Sequence, residues 1–264
     1  MQTRPVAIIS GAGSGIGRAT ALCLARDGHD VAICGRKEKP LQATRIQIEA
    51  LGAGCLVVPC DVREPEQVAA FVDAIEQRFD RADVLVNNAG GQFSAAAEDV
   101  SVNGWRAVHR LSVEAVWSMT REVATRLMIP ARSGVVFNIG FSPRRGIQGF
   151  VHASAARSAL ETLSSSLALE WSMYGIRAVT IAAGNIDTEG IRQYLGEDGD
   201  LAVLLSDYAA QVPLGRMGTP EDIAEAIAFV ASPRGSYITG TTIVIDGGLD
   251  AWGAGSPPPR AAMS

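Results

Sequence analysis

Four glycines in seven positions follow the first β-prone run of this chain. Ser10-Gly11-Ala12-Gly13-Ser14-Gly15-Ile16-Gly17 comes directly after Val6-Ala7-Ile8-Ile9 and opens a helical stretch. Glycines at a strand–helix junction permit a tight turn and let backbone N–H groups approach a ligand closely. The start of the helix adds unpaired N–H donors and a positive dipole end, which together favour phosphate. A glycine pattern alone is weak, but inside a strand–turn–helix–strand unit it points to a dinucleotide pyrophosphate.

The rest of the chain repeats that unit. Strand-like runs at Val6–Ser10, Val31–Cys34, Cys55–Pro59, Val84–Asn87, Val135–Ile139, Arg177–Ile181 and Thr242–Asp246 alternate with helical stretches. The helical stretches are Ile16–Asp27, Leu41–Leu51, Pro65–Phe79, Val102–Met128, Ala153–Met173 and Pro220–Ala231. Most of the runs are continuously apolar, as in parallel strands buried on both faces. Right-handed crossovers between them predict an α/β fold, a Rossmann-like doubly wound parallel sheet of about seven strands with helices on both faces. Thr219 is the expected N-cap of the last helix, with Pro220 at its first position. Residues 189–211 show no clean period, and a long insertion of that kind is often a lid or substrate loop. Residues 1–252 are expected to form one domain, and the Gly/Pro/Ala-rich 253–264 a disordered tail.

With 264 residues and 47% apolar content, the chain can bury a substantial core. Apolar runs are cut by Gly or charge within about ten residues, too short to span a membrane. Met1-Gln2-Thr3-Arg4 leads straight into the first strand, so a cytoplasmic location without a signal peptide is expected. Net charge is −5 and no basic stripe stands out, which argues against a nucleic-acid partner. Cys23, Cys34, Cys55 and Cys60 show no Cys-x-x-Cys spacing, and three of them lie in apolar patterns; no metal site is expected.

The second strand bears on which dinucleotide is bound. An acid at its end would hold the ribose 2′-hydroxyl of NAD and repel a 2′-phosphate; here Gly35 is followed by Arg36 and Lys37. Guanidinium suits phosphate and stacks on an adenine face, so the pair favours NADP(H), the alternative being two solvated loop charges.

With these residues in hand, the sequence resembles the short-chain dehydrogenase/reductase family over nearly its whole length. The glycine turn is similar to that family's Thr-Gly-x-x-x-Gly-x-Gly. Asp61-Val62 resembles its adenine-contacting pair, and Asn87-Asn88-Ala89-Gly90 its Asn-Asn-Ala-Gly motif. Ala183-Gly184-Asn185-Ile186-Asp187-Thr188 resembles its Pro-Gly-x-x-x-Thr segment, which holds the carboxamide. Gly215–Asp222 and Asp246-Gly247-Gly248 match its C-terminal pattern. The resemblance implies a cofactor site of Gly11, Ser14, Ile16, Gly17, Arg36, Asp61, Val62, Asn88, Ala89, Gly90, Arg157, Ile186 and Thr188. It also implies a small-molecule substrate and a homo-oligomer, dimer or tetramer, packed through the long helices.

The family's chemistry uses a Tyr acid, a Lys four residues later, a Ser that polarises the carbonyl and an Asn in the preceding long helix. Aligned through Ser166-Leu167-Ala168-Leu169-Glu170, these positions fall on Ala153, Arg157, Gly140 or Phe141, and Ser112. All four are replaced. Alanine has no proton to give, and arginine holds its own too tightly to relay it. Residues 149–157 and Asp187-Thr188-Glu189-Gly190 resemble the 2,4-dienoyl-CoA reductase subgroup, which draws its acid from the loop after the fifth strand, where this chain has Ser142. Candidate substitutes are Arg157 as a cofactor-contacting cation, His152 beside the Tyr position as a proton donor, Ser142 and Ser112. Each has a structural alternative: a satisfied helix-start histidine, or serines that cap backbone groups. Glu114 is a further candidate, as a base or as an ion-pair partner of Arg157.

The leading expectation is an NADP(H)-dependent oxidoreductase acting on a conjugated carbonyl or enoyl substrate. A cofactor-binding scaffold, or a non-redox enzyme such as an isomerase, dehydratase or cyclase, stays open beside it.

Overall fold

The computed structural model describes residues 4–196 and 200–252, and the expected disordered tail, 253–264, lies outside them. Strand β1 (Val6–Ser10) leads to α1 (Gly15–Arg26), β2 (Asp30–Gly35), α2 (Glu38–Ala50), β3 (Cys55–Pro59), α3 (Pro65–Phe79) and β4 (Val84–Asn87). A continuous helix, 102–131, follows. Its parts are α4 (Val102–His109), a π-turn at Arg110–Glu114, α5 (Ala115–Val123), a second π-turn at Ala124–Met128 and α6 (Ile129–Ala131). Then come β5 (Gly134–Phe141), α7 (Val151–Trp171), β6 (Ile176–Ala183), α8 (Glu189–Gly196), α9 (Leu201–Ala210), α10 (Pro220–Ala231), β7 (Thr241–Ile245) and α11 (Leu249–Trp252).

The seven strands form one parallel sheet in the order β3-β2-β1-β4-β5-β6-β7. Connections leave β1 in one direction and resume at β4 in the other, so a crevice opens at the carboxyl ends of these two strands. Both faces of the sheet are covered. Ala7, Ile9, Val31, Ile33, Val84 and Val86 pack towards α1, α2 and α10, whereas Ile8, Ala32, Cys34 and Leu85 pack towards α3, α5 and α7. This two-residue alternation between two apolar layers explains why the strands read as unbroken apolar runs.

One polar chain crosses the sheet. Asn87 Nδ2 donates to Thr120 Oγ1 (2.8 Å) and Asn138 Oδ1 (2.9 Å), and Asn138 Nδ2 donates to Ser164 Oγ (3.0 Å). Ser164 Oγ lies 2.7 Å from Thr180 Oγ1, which donates to Leu160 O at 3.1 Å. Each buried donor is paired, and the chain locks α7 to the end of β4 and the middles of β5 and β6.

Several elements differ from expectation. Strands β5 and β6 extend to Phe141 and Ala183, and α2 begins at Glu38 because Pro40 fits within its first turn. Residues 189–211, expected to be a loop, hold α8 and α9, the latter capped by Asp200, whose carboxylate accepts from Ala202 N at 2.9 Å. Thr219 and Asp222 form the reciprocal cap of α10, with Pro220 at its first position.

Candidate active site and cofactor cleft

The crevice is a cleft of about 1060 Å3. Its floor is the turn after β1, held rigidly from below. Ser10 Oγ accepts from Asn88 N and Ala89 N, both at 3.0 Å, and Asn88 Nδ2 donates to Ser10 O (3.0 Å) and Gly11 O (3.2 Å). Gly11 N and Ala12 N are bonded to Cys34 O at 2.8 and 3.3 Å. Gly13, Ser14, Gly15 and Ile16 then line the cleft at the N-terminus of α1. Gly11 has φ +67°, and a Cβ there would lie 3.0 Å from Ala89 Cα and Asn88 Nδ2. Gly17 does not line the cleft. It is buried behind the turn, where a Cβ would come within 2.5 Å of Asn88 Nδ2 and Gly11 O, so it packs the helix rather than touching a ligand.

At one end of the cleft stand Arg36, Lys37, Asp61, Val62 and Arg63. Arg63 Nε donates to both carboxylate oxygens of Asp61, at 2.9 and 3.2 Å. That pairing holds the Asp61 carboxyl at about 2, with Arg36 contributing through Coulombic attraction. Arg36 itself is exposed and makes no ion pair among the described residues.

At the other end lie Asn88, Ala89, Gly90, Ser142, Arg157, Ile186 and Thr188. Ile186 bridges to Gly218, while Thr188 Oγ1 accepts from Ile191 N at 3.2 Å. Arg157 Nη1 donates to Ile139 O, and its Nε is buried without a partner. A Cβ on Gly90 would sit 2.5 Å from Arg157 Nη2, so the absent side chain of Gly90 makes room for the guanidinium. No ion pair reaches Arg157 among the described residues, and burial alone lowers it to about 10.

Ser142 lines the cleft, but its Oγ donates to Asp246 Oδ2, a carboxylate that also accepts from Gly248 N (2.8 Å) and Asp250 N (2.6 Å). His152 does not line the cleft. It is fully buried and stacked on Phe93 with centroids 4.2 Å apart, and neither ring nitrogen has a hydrogen-bond partner. Burial, helped by nearby His109, lowers its pKa and favours the neutral ring. Ser112 is also buried off the cleft, within the first π-turn, with its Oγ unpartnered. Glu114 is exposed and unpaired with Arg157; Ser154 Oγ accepts from Ile147 N at 3.4 Å. Among the described residues no group of three or more His, Cys, Asp or Glu is placed to hold a metal ion.

The cleft also brings in residues that the sequence did not single out: Gln92, Gln148, Tyr208 and Gln211. Tyr208 and Gln211 belong to the non-periodic stretch, whose length was the only signal that it covers a site.

A rigid glycine turn at a helix N-terminus, closed by Asn88-Ala89-Gly90 and by Thr188, is a dinucleotide-binding arrangement. A family model described as enoyl-(acyl carrier protein) reductase matches residues 11–250. The chain belongs to the short-chain dehydrogenase/reductase family. Among short-chain dehydrogenase/reductase relatives, a probable 2,4-dienoyl-CoA reductase of Bacillus subtilis (strain 168) is 35% identical over 243 residues, 91% of this chain and 94% of its own. A peroxisomal 2,4-dienoyl-CoA reductase of Danio rerio is 36% identical over 250 residues, 94% of this chain and 81% of its own. The crystal structure of levodione reductase superposes with a TM-score of 0.89 at 29% identity, over 95% of this chain and 99% of that one. The fold is thus that of a short-chain dehydrogenase/reductase, an oxidoreductase scaffold. No helix among the described residues is long and apolar enough to cross a membrane.

Proposed function

We propose that this protein is a cytoplasmic, NADP(H)-dependent reductase of conjugated enoyl thioesters, in which Arg157 takes the place of the family's lysine. Arg157 carries the reading: a half-buried guanidinium, its Nε shut off from water and without a carboxylate partner among the described residues, at the wall of the cleft. A cation partly withdrawn from water with no counter-charge is costly, and a ligand that accepts its hydrogen bonds relieves the cost. Ribose hydroxyls and a developing enolate oxygen are such acceptors. The relatives named 2,4-dienoyl-CoA reductase support an enoyl-CoA substrate.

The roles follow from position in the cleft. Backbone N–H groups at Ser14 and Ile16 take the pyrophosphate, with Gly11 shaping the turn. Asp61 and Val62 meet the adenine, and Arg36 meets the 2′-phosphate. Asn88, Ala89 and Gly90 support the nicotinamide ribose, while Ile186 and Thr188 hold the carboxamide. When bound, the dinucleotide supplies hydride to the substrate's conjugated carbon. Arg157, at about 10, stays charged at neutral pH, so it stabilises negative charge on the thioester oxygen rather than giving up a proton. The proton of Ser142 is committed to Asp246. Tyr208 of α9 is the one phenol among the described cleft residues, and we assign it the proton donor's role in place of His152 and Ser112, which lie off the cleft.

The test is NADPH consumption with a panel of 2-enoyl and 2,4-dienoyl thioesters. Turnover is expected, and Tyr208→Phe is expected to lower kcat at least about 100-fold while leaving NADPH affinity unchanged. Tight NADPH binding with no consumption across the panel would instead favour the scaffold or non-redox readings.

A further inference from the structure

The first residue of α8 reaches across to the phosphate turn. Glu189 Oε2 accepts from Gly15 N at 2.9 Å, and Glu189 Oε1 is paired with Arg18. Gly15 opens α1, so its N–H has no partner inside the helix and points where an anion is favoured. The neighbouring Thr188 is drawn in too, its methyl carbon only 3.2 Å from the position a Gly15 Cβ would take. Burial works against the charged carboxylate, but backbone N–H bonds and Arg18 outweigh it, so Glu189 is held below the usual carboxylate range. The side chain is 51% exposed, so it is free to swing outward. Gly190 and Ile191, the next residues of α8, line the cleft.

We propose that Glu189 is a carboxylate latch, competing with the dinucleotide's pyrophosphate for the N-terminus of α1 and tying the first turn of α8 to that turn until it is displaced. The inference rests on the pyrophosphate reading above. A carboxylate and a pyrophosphate a few ångströms apart at one helix end repel each other, so binding the dinucleotide must move Glu189 off Gly15. That movement unties the first turn of α8, which carries Gly190 and Ile191, from the phosphate turn. A ligand lacking a pyrophosphate leaves the latch closed.

Calorimetry on the full chain and on Glu189→Gln, with NADPH and with 2′-AMP as separate ligands, tests this. The glutamine keeps the shape and removes the charge. NADPH is expected to bind roughly ten-fold tighter to the variant, and 2′-AMP, which has no pyrophosphate, equally to both. Hydrogen exchange gives a second readout: amides of α8 should exchange faster in the wild-type chain when NADPH is added, and be fast in the variant from the start. Unchanged or weaker NADPH binding in the variant overturns the latch, as does an equal gain for both ligands. If the wild-type chain binds 2′-AMP but gains nothing from the rest of NADPH, the pyrophosphate reading itself fails and takes the latch with it.

Discussion

Two glycines separate the residues that shape the site from those that touch it. A methyl group at Gly90 would clash only with the far end of Arg157, whereas one at Gly17 would meet Asn88 Nδ2 and the backbone oxygen of Gly11, each 2.5 Å away. Gly90→Ala is therefore expected to fold with near-normal stability but to displace the guanidinium and weaken NADPH binding about ten-fold. Gly17→Ala is expected to cost about 1–3 kcal/mol of stability through overpacking. Denaturant titration and calorimetry of both variants check the contrast, which fails if Gly90→Ala keeps full NADPH affinity. That residue 157 is an arginine is read directly from the sequence. The sequence did not show which way His152 points. Five residues of helix at about 100° each put His152 about 140° round from Arg157, away from the cleft and onto Phe93. Nearness to position 153 along the chain was a poorer guide than that angle. For Ser112 no such shortcut existed, since it sits in a π-turn that shifts the helical phase.

Elements with strong local signals were legible, and elements that depend on tertiary packing were not. The cap of α10 could be read from Thr219-Pro220-Glu221-Asp222 because its bonds are local. Helices α8 and α9 are short, and α9 is apolar without a one-sided stripe, so no single period ran through the stretch. Their place over the cleft depends on long-range contacts such as Asn185 Nδ2 to Tyr208 O at 3.3 Å. The capping residue Asp222, bonded first to Arg216 and then to the Thr219 backbone, has its carboxyl held at about 2 against an ordinary 3.8, as does Asp61 beside Arg63. The sign follows from proton binding. Between these values the unfolded chain holds more protons than the folded one, so the stability these pairs contribute is present above about pH 4 and lost as pH falls towards about 2. Both pairs are near the surface, so the effect is modest. Thermal unfolding across that window is expected to show a shallower acid limb in the double variant Arg63→Met/Arg216→Met; an unchanged limb would place the acid sensitivity elsewhere.

At the scale of the whole molecule, seven parallel strands and their crossovers open one cleft where the chain reverses direction between β1 and β4. Buried parallel strands announce themselves in sequence, so the architecture was largely readable, and with it the location of the cofactor turn. The presence of Tyr208 in the cleft lining was not, because it arrives from a distant segment by packing alone. The central claim is that this cleft holds a nicotinamide dinucleotide whose 2′-phosphate is read by Arg36. Calorimetric titration of the wild-type chain and Arg36→Asp with NADPH and NADH tests it most directly. The account predicts at least about ten-fold tighter binding of NADPH by the wild-type chain, and a reversed preference in the variant. Binding of neither dinucleotide, or the same preference in both proteins, would contradict it.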